Sequence, residues 1–183
     1  SEVEAPSDDD LYVAAWEATG PISEWSLLLL DRLFSVFEAR EKPSKASFSP
    51  HGQISAVAQS QLAVLVDLLF AQMPRELRSK ALTKVYTWVT SHTVPYARKD
   101  VAALLTALGR ACPDEALDRF VPYVHAKVAE AGTSGSAMEW HLLILDGLVR
   151  RLGAAVLPSL PAIAECIAAG TESDNKEARK AAF

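Results

Sequence analysis

The sequence predicts an all-α chain, a superhelix of antiparallel helix pairs, and three observations carry that prediction. An opening motif returns: Met73-Pro74-Arg75-Glu76-Leu77 and Cys112-Pro113-Asp114-Glu115-Ala116-Leu117 each begin an amphipathic helix, their prolines lie 39 positions apart, and Pro158 takes the same role 45 positions later. Apolar residues recur at steps of three and four, as in Leu117, Phe120, Val121, Val124 and Val128, which places them on one helical stripe. No stretch alternates with a period of two, so no strand is expected. A unit of about 40 residues holding two apolar-faced helices marks HEAT or armadillo repeats. In such arrays no unit buries its apolar face alone, and the stacked pairs present surfaces instead of a deep pocket.

Residues 1–21 form an acidic N-terminal segment, frayed over its first ten residues. Ser7 followed by three aspartates predicts a helix start, because the hydroxyl caps the free N–H groups and the acids suit the positive end of the helix dipole. That short helix runs to about Thr19 and stops at Gly20-Pro21. Residues 22–183 carry the repeats, opening with a strongly apolar helix from Ile22 to Arg40. Glu41 to Pro50, rich in Lys, Ser and Pro, reads as a loop. Helices follow near 51–72, 75–92, 96–111, 114–131, 135–152 and 155–169, with another beginning near 174. Pro122 lies inside the 114–131 stripe and removes one backbone hydrogen bond there. Met138, Leu142, Leu145, Val149 and Leu152 repeat the stripe in the next helix, and short connections make neighbours antiparallel.

At 183 residues and 50% hydrophobic content the chain has the material for one sizeable core. A net charge of −5 argues against direct nucleic-acid binding, which favours a basic surface. The charge is uneven: residues 1–60 hold ten acids and four bases, residues 61–110 three acids and seven bases. Two cysteines, Cys112 and Cys166, make no disulfide framework and read as reduced, buried thiols. No run approaches the roughly 18 uninterrupted apolar residues of a membrane span, and the start lacks a signal pattern. The start at Ser1 and a helix-like stretch from Asp174 to Phe183 lead us to expect a piece of a longer solenoid.

Candidate chemistry is sparse. His51, His92, His125 and His141 show no i, i+4 pairing and no completing acid, so no metal site is expected. Ser91-His92 and Glu139-Trp140-His141 put a nucleophile or an acid beside a base, but adjacent helical residues point apart. Gly132-Thr133-Ser134-Gly135-Ser136 lacks the lysine and the preceding strand of a phosphate loop. Neither catalytic nor cofactor-binding residues are expected, and the chain is read as no enzyme. Arg75, Arg78, Lys80, Lys84, Arg98 and Lys99 lie on two consecutive helices expected to run side by side. They are candidates for a patch that binds an anion or an acidic partner; the alternative is a solvated helix face. Trp88 and Trp140 fit packing between layers, while Trp16 and Trp25 fit exposed contacts.

Several strings carry a family resemblance. They are Leu30-Asp31-Arg32 with Phe34; Ala81-Leu82, Lys84-Val85, Tyr86, Trp88 and Thr90-Ser91-His92; Cys112-Pro113-Asp114-Glu115 through Leu117 to Phe120-Val121-Pro122; and Trp140, Leu142, Leu145 with Gly153. In order and spacing these blocks resemble the proteasome activator complex subunit 4 family, giant HEAT-repeat proteins that include the yeast bleomycin-sensitivity activator. The resemblance covers about residues 22–170. It implies a stretch of solenoid wall in a monomeric activator that caps the proteasome core particle. It also implies ubiquitin-independent degradation of substrates such as acetylated histones, a nuclear and cytoplasmic location, and a role in DNA repair. Inositol phosphate is implied as a ligand of the full-length protein. The family's tyrosine-bearing terminal tail is not carried over onto Ala181-Ala182-Phe183, its bromodomain-like segment has no counterpart here, and residues 132–136 replace a more acidic connection. Another HEAT-repeat scaffold, such as a nuclear transport receptor or a phosphatase scaffold, is the alternative, followed by a non-catalytic part of an enzyme.

Overall fold

A computed structural model of the chain describes residues 7–18, 20–40, 64–131, 135–150 and 152–182, and every regular element among them is helical. In order these are α1 (Asp8–Ala18), α2 (Gly20–Glu38), α3 (64–72), α4 (Arg75–Ser91), α5 (Arg98–Ala111), α6 (Pro113–Ala131), α7 (Gly135–Val149), α8 (Leu160–Glu172) and α9 (Lys176–Ala181). Two 3-10 turns, Pro95–Ala97 and Gly153–Ser159, precede α5 and α8. The loop expected at 41–50, the start of the helix expected from 51, His51, the side chain of Trp16 and residues 132–134 lie outside the described residues.

Local chemistry sets the helix ends. At α1 the Asp10 backbone N–H donates to Ser7 Oγ (3.1 Å) while the Ser7 N–H donates to Asp10 Oδ2 (3.2 Å), a reciprocal capping box. The Ser7 hydroxyl also donates to Asp10 Oδ2 (2.6 Å), and this bond, followed by the one from the Ser7 N–H, holds the Asp10 carboxyl below its ordinary value. At α9 the Asn175 side chain accepts from the N–H groups of Glu177 and Ala178. Pro74 stands just before α4 and Pro113 opens α6, where a missing N–H costs nothing. Pro158 does not take the equivalent place. It sits inside the 3-10 turn, which uses up residues 153–159 first, and Pro161 occupies the first turn of α8 instead.

Helices two apart in the chain pack side by side. One layer runs α2, α4, α6, α8; the other runs α5, α7, α9, with α3 joined to α5 by the ion pair of Asp67 and Arg110. The expectation that α4 and α5 run together is therefore corrected: α4 packs on α2 and α6, α5 on α7 and α6. The repeat length reappears as contact spacing. Arg98 bonds Glu139 and Thr106 bonds the Gly147 carbonyl, each 41 positions on; His125 meets Glu165 after 40, and Arg110 meets Asp67 after 43. Each unit thus holds its neighbour, which makes the chain a two-layer α-solenoid.

The stripes read from the sequence face the space between layers. Leu117, Phe120, Val124, Leu142 and Leu145 are buried, and Val149 packs half-buried at the edge. The α2–α4 joint is aromatic: Trp88 stacks on Phe34 with centroids 4.5 Å apart and donates its indole N–H to Glu38 Oε1 (2.5 Å). Gly153–Glu172 is long and apolar enough to span a membrane by composition, but it is a 3-10 turn followed by α8, and Ile163, Cys166 and Gly170 of α8 pack into the core.

Candidate functional site

Among the described residues, the cysteines and histidines are held by burial, helix caps or ion pairs. Burial pushes the Cys112 and Cys166 thiols up to about 11, assisted by the nearby Glu115 and Glu165, so neither is a thiolate nucleophile at neutral pH. The His92 backbone N–H donates to the Trp88 carbonyl and closes α4, while its ring stacks on Trp88. His125 Nε2 meets Glu165 Oε2 at 2.6 Å on the exposed α6–α8 seam. Among the described residues, no three His, Cys, Asp or Glu side chains gather where a metal ion would be held.

His141 is the most enclosed of the described histidines. Its Nδ1–H donates to the Ala137 carbonyl (2.7 Å), and its Nε2 lies 3.4 Å from the Tyr123 hydroxyl, which donates to the Thr90 carbonyl (3.3 Å). Burial pushes the imidazole pKa down. The unfolded chain then takes a proton near pH 6.5 that the folded chain resists. This contribution is present above that pH and is lost as pH falls through the folded pKa. We expect the urea midpoint to drop between pH 7.5 and pH 5.5, and His141→Gln to reduce that drop; an unchanged pH dependence in the variant contradicts the assignment.

The structure divides the six candidate basic residues. Lys84 is paired with Asp31 on α2 (2.7 Å) and Arg98 with Glu139 on α7 (2.8 Å). Lys99 is exposed next to Asp100 in sequence, and that carboxylate is already bridged by Arg40 at 2.6 Å. Burial nonetheless raises the Asp100 pKa, with Arg40 opposing. Arg75 and Lys80 line an open cleft of about 600 Å³ together with Glu76, Ser79, Thr83 and Glu115. Arg78 lines an adjoining cleft of about 250 Å³ with Arg75 and donates from Nη1 to the Ala111 carbonyl (2.8 Å), its buried Nε unpaired. Arg119 on α6, which the sequence reading missed, reaches the same seam and donates to Thr83 Oγ1 (2.7 Å). It follows Lys80 by the same 39 positions that separate Pro74 and Pro113, so the repeat was the available signal.

Two further surface features are evident. Trp25 is 55% exposed on α2, as its place beside the acidic start suggested. A cleft of about 370 Å³ lies between the α4–α5 connection and α7, lined by Thr93, Pro95, Arg98, Glu139, Trp140 and Leu143.

Comparison with known proteins agrees with this architecture. A family model described as the mid HEAT repeats region of proteasome activator complex subunit 4 matches residues 2–172. The human (Homo sapiens) proteasome activator complex subunit 4 is 22% identical over 154 residues, which cover 76% of this chain and 8% of that relative. The chain thus spans a small part of the curated relative it matches. With the two-layer solenoid and the repeat-length contacts, the match over 2–172 means that this chain belongs to the proteasome activator complex subunit 4 family, in its mid HEAT-repeat region.

Proposed function

We propose that this chain is a stretch of solenoid wall in a proteasome activator and that it acts by shape and docking, with no active site of its own. The family match over residues 2–172 carries the reading. The open clefts and the raised cysteine pKa values are consistent with it. In the full-length protein the wall helps a monomeric activator cap the proteasome core particle in nucleus and cytoplasm. It promotes ubiquitin-independent degradation, with acetylated histones among the substrates. The full-length protein is expected to co-sediment with purified core particles; failure to do so at micromolar concentrations contradicts the reading.

Within that wall, Arg75, Arg78, Lys80 and Arg119 are the best anion site. None of the four has a carboxylate partner among the described residues, unlike Lys84 and Arg98. An inositol phosphate is the ligand proposed for them. Exposed charges are screened within about 10 Å at 0.1 M salt, so binding should weaken as salt rises. Calorimetric titration with inositol hexakisphosphate should show heat that falls with salt and falls again in a Lys80→Ala, Arg119→Ala double variant. No heat at low salt leaves a solvated face.

A further inference from the structure

We propose that the cleft between the α4–α5 connection and α7 is a binding site for one aromatic residue of a peptide, ring in the cleft and backbone amide on the Arg98–Glu139 pair. The cleft holds about 370 Å³. That is near the lower end of ligand pockets, roughly 300–1,000 Å³, and suits one side chain with its amide better than a cofactor. Pro95, Leu143 and the 6% of Trp140 that stays exposed supply apolar walls, and the proline ring favours a flat partner.

The polar rim selects the ligand's second group. Arg98 Nη1 donates to Glu139 Oε1 at 2.8 Å. One hydrogen bond of this kind leaves further guanidinium N–H donors and the second carboxylate oxygen to serve a ligand. A neutral amide matches both: its carbonyl accepts from Arg98 while its N–H donates to Glu139. A free anion would displace Glu139, and a free cation would face Arg98. Glu177 also lies within electrostatic reach of Arg98 and is itself bonded to Lys180 at 2.8 Å. Desolvating this pair against an apolar wall strengthens the two amide bonds relative to water.

The site sits on rigid supports. Trp140 is buried among the α7 core residues, and Val94, just before the 3-10 turn, is buried as well. The occupant is one aromatic residue of a peptide, the size the cleft admits.

The test uses the 183-residue chain and N-acetyl-phenylalaninamide as probe, followed through the Trp140 indole N–H resonance. A single blocked residue is expected to bind with a dissociation constant near about 1 mM. Arg98→Ala, at a side chain 51% exposed, should weaken binding about tenfold by removing a charge-assisted hydrogen bond. Thr93→Phe, on the exposed rim, should abolish it by filling the cleft. Circular dichroism checks that both variants keep their helix content. Saturable shifts lost in both variants support the site. Absence of saturation up to 20-fold above about 1 mM, full affinity in either variant, or tighter binding of the free acid N-acetyl-phenylalanine overturns the assignment.

Discussion

Phe120→Ala is expected to lower the unfolding free energy by about 3–5 kcal/mol, the range for emptying a fully buried aromatic site. Phe120 is 0% exposed, and its ring meets the edge of Tyr86 at 5.1 Å. It stands on α6, which packs against α4, α7 and α8, so the cavity would open where both layers meet. Relaxation is limited because Val121 and Val124 beside it are buried too. Urea unfolding measures the loss. A value below about 1 kcal/mol would mean that the site collapses around the deletion or that the stripe faces elsewhere.

The second large effect lies where α5 and α7 cross. A Cβ placed on Gly109 would stand 2.7 Å from the Leu148 backbone carbonyl oxygen, and one on Gly147 would stand 3.1 Å from the Cα and carbonyl oxygen of Ala102. The crossing is close enough for Thr106 Oγ1 to donate to the Gly147 carbonyl at 2.8 Å. Gly109→Ala gains about 1 kcal/mol of helix propensity. The clash is with backbone, which has no rotamer to escape into, so the two helices must separate. Overpacking of this kind costs about 1–3 kcal/mol or more. We expect Gly109→Ala to be net destabilising by up to about 2 kcal/mol and Gly109→Val to exceed 3 kcal/mol. Gly170→Ala meets the end of the Leu142 side chain, which can rotate away, and the Ala182 Cβ, which moves only with its backbone at the end of α9, so it too should be destabilising. A stabilised Gly109→Ala would show that α5 and α7 are farther apart than the structure places them.

Much of the fold was legible because helical periodicity is a local property. The stripe from Leu117 to Val128 falls in α6, and the helix expected at 75–92 is Arg75–Ser91. What periodicity does not encode is the lateral neighbour. A buried stripe states that a helix has a covered face, but not whether the cover is the next helix or the one after. Consecutive helices were therefore expected to share the basic group, and alternate packing sent Arg98 to Glu139 and Lys84 to Asp31 instead. Proline placement was ambiguous for a related reason. Pro158 and Pro161 both suit a helix start, and only the 3-10 turn over Gly153–Ser159 separates them. The Trp140 cleft was not legible, because its walls come from segments more than 40 positions apart.

One assay tests most directly the proposal that this chain is wall in an activator and not a catalyst. Purified proteasome core particle, supplied with a fluorogenic peptide, is titrated with the full-length protein and, in parallel, with the 183-residue chain. The account predicts saturable stimulation by the full-length protein and, from the chain alone, no hydrolysis of the peptide in the absence of core particle. Peptide hydrolysis by the chain alone that one substitution within it abolishes, or no stimulation by the full-length protein, would contradict it.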